Sequence, residues 1–316
     1  MHEAVTMQPS DTPVEAFLRH ELAQGDAVLR TVAPVLGHLL ATRDHSLFSD
    51  EVIARVRGML SDIARQLLAV ETGGEEGPGH SQWAEGERPE LVEALRANQR
   101  LVLHCHALAL EWQLTARLEK RSASDPVLSP LLQALIASDN PATASLAMAL
   151  LAAQARFVQH QRRMELPLLE LPGYLFGDLL RSWSATGGAA AARVAENLRQ
   201  DYRESASRLS LIARLVTEMG AGALAALSLD HAGVSIFLSA LAASTGQDRD
   251  LITISTDDRQ IARLALALRA AGLKQREIEE QLAQIHFDVG LPDGFDALRP
   301  DRAAALLGAA GQPTAV

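Results

Sequence analysis

The chain is poor in the residues that usually announce a chemistry. Its 316 residues include one cysteine, Cys105. An intrachain disulfide is therefore excluded, a lone cysteine makes no structural zinc site, and a reducing compartment is expected. Aromatic residues make up 4% of the chain, so a core has to be built from Leu, Ala, Val and Ile, which fill the narrow gaps between packed helices. Positive charge is in deficit, with 29 basic against 39 acidic residues and a net charge of −10. That balance argues against broad nucleic-acid binding, which needs clustered cations. No stretch approaches about 18 consecutive apolar residues, so no membrane span is expected. The first residues, MHEAVTMQPSDTP, lack the basic and apolar regions of a secretory signal, and a cytoplasmic location is the expectation. Sustained alternation of period two is missing; ITIST at 252–256 comes closest and is too isolated to build a sheet. The spacings of a phosphate loop, a dinucleotide fold, a GxSxG elbow and an HExxH helix are missing too.

What is present is helical periodicity. Asp257–Ala271 (DDRQIARLALALRAA) has a near twin at Asp139–Ala153 (DNPATASLAMALLAA), in which Leu146, Ala147, Leu150 and Ala153 align with Leu264, Ala265, Leu268 and Ala271. Each opens with an acidic residue suited to a helix cap and continues with small apolar residues, which points to stacked helical hairpins. Earlier in the chain, one helix is predicted from Pro13 and another over 26–41, with Pro34 kinking or splitting the second. A third starts at Ser49, and Leu91–Lys120 reads as one long helix. A hairpin follows at 127–137 and 142–161. Pro167 and Pro172 forbid one helix through the apolar segment 166–180; beyond it a long helix is predicted over 189–219 and shorter ones to the end.

The expected architecture is all-α: stacked antiparallel helix pairs, HEAT-like or an irregular helical bundle. Residues 1–11 and 309–316 read as disordered ends. An N-terminal helical region is expected over 12–183, with a flexible acidic loop at 72–90 carrying Trp83, and a C-terminal helical region over 189–308. Ser184–Gly188 marks the boundary.

Few residues stand out as functional. His104-Cys105-His106 has the look of a metal motif, but residues two apart on a helix point about 200° from one another, so the two imidazoles cannot share an ion. No catalytic, cofactor-binding or metal-binding residue is assigned, and no cofactor is expected. The stretch 272–284, GLKQREIEEQLAQ, resembles the first helix of a helix-turn-helix reader, yet HFDVGLPDGF follows where a recognition helix belongs. Arg199, Arg203 and Arg214 fall on one face of the predicted 189–219 helix and could dock an acidic partner. Leu168, Tyr174 and Phe176 in the 166–180 segment would form an apolar partner surface, or a homo-oligomer contact, if exposed. Asn98, His106 and Tyr202 are polar groups that could converge on a pocket between helices.

Residues 229–285 carry an Ala-Leu-rich helix, Gly246, Arg249-Asp250-Leu251-Ile252, Asp257-Asp258 and LALALRAAGL. This layout resembles the C-terminal part of an uncharacterised alphaproteobacterial helical-repeat family, a domain of unknown function. The resemblance implies a repeat-like helical fold and transfers no functional residue. The function expected is a non-enzymatic binding or regulatory protein holding a protein partner on a helical surface. The alternative is a small-ligand protein or enzyme with a pocket between helices, and a DNA-binding regulator comes third.

Overall fold

The computed structural model describes residues 12–41, 49–71, 89–286 and 289–309. The acidic stretch 72–88 with Trp83, residues 1–11 and the tail from 310 lie outside the described residues. Every regular element among the described residues is an α-helix or a 3-10 turn, and none is a strand. The protein is an all-α bundle.

Helix α1, Pro13–Ala41, starts with a reciprocal cap: Glu15 N donates to Thr12 Oγ1 (3.4 Å) and Thr12 N donates to Glu15 Oε2 (3.0 Å). It runs through Gly25 and Pro34 as one helix where two were expected. Gly25 leaves room for the Gln260 side chain, whose Oε1 would lie 2.6 Å from a Cβ there and whose Nε2 donates to the Gly25 carbonyl (2.8 Å), seating the 258–260 turn on α1. Helix α2, Asp50–Glu71, turns Val52, Val56, Ile63 and Leu67 inward, as its periodicity predicts.

The long helix expected over 91–120 is two: α3, Pro89–Ala97, and α4, Gln99–Ser122. Asn98 breaks them apart. Its backbone is extended, and its side chain accepts from Leu101 N (3.1 Å), an N-cap that competes with continuing the helix. Helix α4 is buried on nearly every side and packs against α1, α2 and later helices. Helices α5, Pro130–Ile136, and α6, Pro141–Arg162, form the expected hairpin, each with proline in its first turn behind a Ser129 or Asn140 cap.

After α6 the chain bends through a 3-10 turn at Leu168–Glu170. Its backbone groups are satisfied by side chains of α2. Leu166 N donates to Asp62 Oδ2 (3.0 Å), Leu168 N donates to Gln66 Oε1 (2.9 Å), and Gln66 Nε2 donates to the Leu166 carbonyl (2.9 Å). Gly58 makes room for this bend, since a Cβ there would meet Met164 Cβ at 2.6 Å.

Helix α7, Gly173–Asp201, passes through the expected boundary 184–188 and bends at Gly188, whose φ of 72° and ψ of −159° suit only glycine. The predicted 189–219 helix ends early, and Tyr202–Ser207 with a 3-10 turn at Glu204–Ala206 separates α7 from α8, Arg208–Met219. A 3-10 run, Gly220–Leu227, leads into α9, Leu229–Ala232, and α10, Val234–Thr245. Then come α11, Arg249–Ile254, a turn at Asp258–Gln260, α12, Ile261–Ala270, α13, Gln275–Ile285, and α14, Pro300–Ala309. Helix α14 packs on α12, and Arg302 reaches back to Glu15 of α1 (2.9 Å).

The apolar core forms two clusters that do not follow chain order. One unites the second half of α1 with α2, α3, most of α4, the end of α6, 166–195, and Leu251 and Ile254. The other unites Val14, Leu18 and Leu22 with Leu114, Leu118, α5, the start of α6 and the helices from α8 onward. Helices α1, α4 and α6 cross from one to the other. Among the described residues, two segments reach the length and mean hydropathy of a membrane span: Pro141–Arg162 (1.2) and Arg208–Leu227 (1.4). In the fold their apolar sides face each other, α6 against α8.

Candidate functional site

Where α4 crosses the seam between the clusters, it places Glu111 with none of its surface exposed. A bare carboxylate there would be very costly, and the fold surrounds it with donors. Arg208, first residue of α8, grips both oxygens: one guanidinium nitrogen lies 2.7 Å from Oε1 and the other 3.2 Å from Oε2. Ser235 of α10 donates to Oε1 (2.6 Å) and Arg249 of α11 to Oε2 (3.0 Å). The Arg208 guanidinium lies over the Phe157 ring, 3.5 Å from its centroid, and Gln154 Oε1 accepts from it at 3.4 Å. Burial alone would raise the Glu111 pKa; Arg208, then Arg249, then the hydrogen bonds from Arg208 and Ser235 outweigh it and hold the carboxyl far below its ordinary range. The cluster joins α4, α6, α8, α10 and α11, which is a structural role.

A cleft of about 330 Å³ lies between α1, α4 and the α11–α12 connection. Its walls are Val28, Leu29, Val32 and Val35 of α1, with Val52, Leu110 and Ile254. Thr31, Ser49 and Gln113 add neutral polar groups, and Asp257, Asp258, Arg259 and Gln260 form one rim. His106 lies at the buried side of the cleft, 3% exposed. Burial pushes its pKa down to about 4, against a weaker upward pull from Asp250, so its imidazole is neutral at pH 7. The Asp257 pKa is raised, first by burial, although its carboxylate caps the turn by accepting from Arg259 N (3.0 Å).

Of the residues expected from the sequence, only His106 lines this cleft. Asn98 is spent on capping α4. Tyr202 stacks on Phe176, ring centroids 4.2 Å apart, and donates to the Leu171 carbonyl (2.7 Å), ordering the bend into α7. The pocket of Asn98, His106 and Tyr202 is therefore not assembled. Leu168 and Phe176 are buried (3% and 2% exposed) and offer no surface, whereas Tyr174 is 52% exposed. Arg199, Arg203 and Arg214 do not share a helix face. Arg199 belongs to α7 and pairs with Glu196; Arg203 lies past its end and donates to the Gln200 and Tyr202 carbonyls; Arg214 is on α8.

His104 and His106 diverge, as a two-residue spacing requires: His104 meets Asp250 (2.8 Å) while His106 borders the cleft. Cys105 is fully buried, and burial drives its thiol pKa up. Among the described residues no three His, Cys, Asp or Glu side chains are grouped to hold a metal ion. After α13 the next regular elements among the described residues are the 3-10 turn Phe295–Ala297 and α14, which packs on α12.

Sequence reasoning missed Glu111, Arg208 and Arg249. Glu111 was readable as a charge set in apolar surroundings, whereas Arg208 sits among serines, and separations of 97 and 138 residues from Glu111 to its arginines gave no local sign of a pairing. No protein-family model, curated protein or solved structure matches the chain.

Proposed function

We propose that the chain is a non-enzymatic binding protein that takes a small organic ligand into the cleft between α1, α4 and the α11–α12 connection. The observation that carries this is the cleft itself: its about 330 Å³ falls in the size range of ligand sites, and apolar walls meet a few polar groups along one rim. The neutral His106 offers hydrogen bonding without a charge. The test is native mass spectrometry of protein purified without denaturation, beside a Val28→Trp variant that fills the half-buried wall of the cleft. A small organic species bound to the parent and lost from the variant supports the reading. Bare protein in both, with no added compound shifting the cleft residues, ends it.

A protein partner is the second reading, favoured by Leu169 and Tyr174. They are 48% and 52% exposed in a segment whose other large apolar residues are mostly buried. A second copy of this chain is the simplest such partner. Light scattering on the parent and a Leu169→Asp/Tyr174→Asp variant tests it: a dimer that the variant abolishes supports the reading, and a monomer at every concentration removes self-association. The single cysteine supports a reducing compartment.

A further inference from the structure

The charges around the cleft point to the class of ligand, an inference that rests on the cleft being the binding site. We infer that the cleft takes a small organic cation, with an apolar body against α1 and α4 and an ammonium head at the Asp257–Asp258 rim. The apolar part follows from Val28, Val32 and Leu110, which face the same space from two helices. Such a wall gains by covering hydrocarbon and gives a charged group nothing.

The head is decided by the rim. Three charged residues line it: Asp257 and Asp258 are negative and Arg259 is positive, so the lining carries one net negative charge. Arg117 also acts on Asp257 and stays protonated at pH 7, but it lies outside the lining of the cleft. Asp257 is half-buried beside Asp258; burial first, and then Asp258, push its pKa up against the backbone cap and Arg259, so a cation beside the two carboxylates would favour the charged form of Asp257. A carboxylate head would instead add a third negative group. On the buried side, His106 is held neutral and cannot serve as a counter-charge for an anion.

Three compounds with one apolar body separate the possibilities: cyclohexylmethylamine, cyclohexylmethanol and cyclohexanecarboxylate. Each is titrated at pH 7 into protein carrying methyl-labelled Ile, Leu and Val, and the methyl signals of Val28, Val32 and Leu110 are followed by NMR. The amine should shift those signals with an affinity about tenfold above the alcohol's, and the carboxylate should bind about tenfold more weakly than the alcohol. An Asp257→Asn/Asp258→Asn variant should bring the amine down to the alcohol; asparagine at 257 still caps the turn, so the fold is retained. If the alcohol or the carboxylate binds as well as the amine, or the variant leaves the amine unchanged, the cationic class is overturned while the cleft stands as a site. If none of the three shifts a cleft methyl, the cleft reading itself falls.

Discussion

Replacing Arg208 with methionine tests the balance at the seam between the two apolar clusters. Methionine keeps much of the length and apolar bulk beside Phe157 but removes both bonds to Glu111. Ser235 and Arg249 remain as donors, so the carboxylate is left half-served in a place where it has no exposed surface. Breaking a buried pair from one side costs about 3–5 kcal/mol, and the surviving partners place Arg208→Met near the low end, at about 3 kcal/mol. With a urea slope of about 3 kcal/mol per M, the unfolding midpoint should fall by about 1 M. Changing Glu111 to leucine in the same protein should recover only part of the loss, because the stranded carboxylate is then gone but Arg249 loses its partner. The pH dependence has a fixed sign as well. The folded Glu111 pKa lies below its ordinary value of 4.5, so its stabilising effect is present above that value and fades as pH falls through the folded pKa. A midpoint within about 0.2 M of the parent for Arg208→Met would refute the reasoning, since it would mean that water or a neighbour replaces the guanidinium at little cost.

Three further changes probe other parts of the argument. Because His106 is neutral in the fold with a pKa near 4 against 6.5 unperturbed, its contribution to stability is complete above pH 6.5 and should be lost progressively as pH falls toward 4; His106→Gln should flatten the pH dependence of the urea midpoint in that window, by up to about 3 kcal/mol across it. Gly58→Ala pushes a methyl group against Met164 Cβ and the Met164 carbonyl, at 2.6 and 2.9 Å, and should cost about 1–3 kcal/mol in denaturant titration; an unchanged midpoint would show that the 163–168 bend yields freely. Asn98→Ala removes the cap that separates α3 from α4 and should cost about 1 kcal/mol, whereas Asn98→Asp, which keeps an acceptor, should cost much less; thermal unfolding of the pair reads the difference.

The residues of α2 and of the α5–α6 hairpin were legible because their positions are decided locally. Apolar spacing, a Ser49, Ser129 or Asn140 cap and a first-turn proline all act within about one helical turn. The same local logic separates His104 from His106, since a two-residue step on a helix leaves no other choice. It failed where a residue had two local options. Asn98 could continue a helix or cap one, and Pro34 could split α1 or be carried through it. Packing on both sides of α4 and the close seat of Gln260 on Gly25 belong to the tertiary arrangement that settled these choices.

By itself, then, the sequence determined an all-α chain, most of its inward-facing residues, and the lack of any metal-binding or nucleophile motif at a recognisable spacing. Only the tertiary structure decided which charges meet. Glu111 finds Arg208 and Arg249, and Val28 finds Leu110 and Asp257 across one cleft, because helices distant in the chain were brought side by side. Burial of apolar surface drives that assembly without directional preference, so it selects which helices pack together while leaving no mark in the local pattern of polar residues carried along with them.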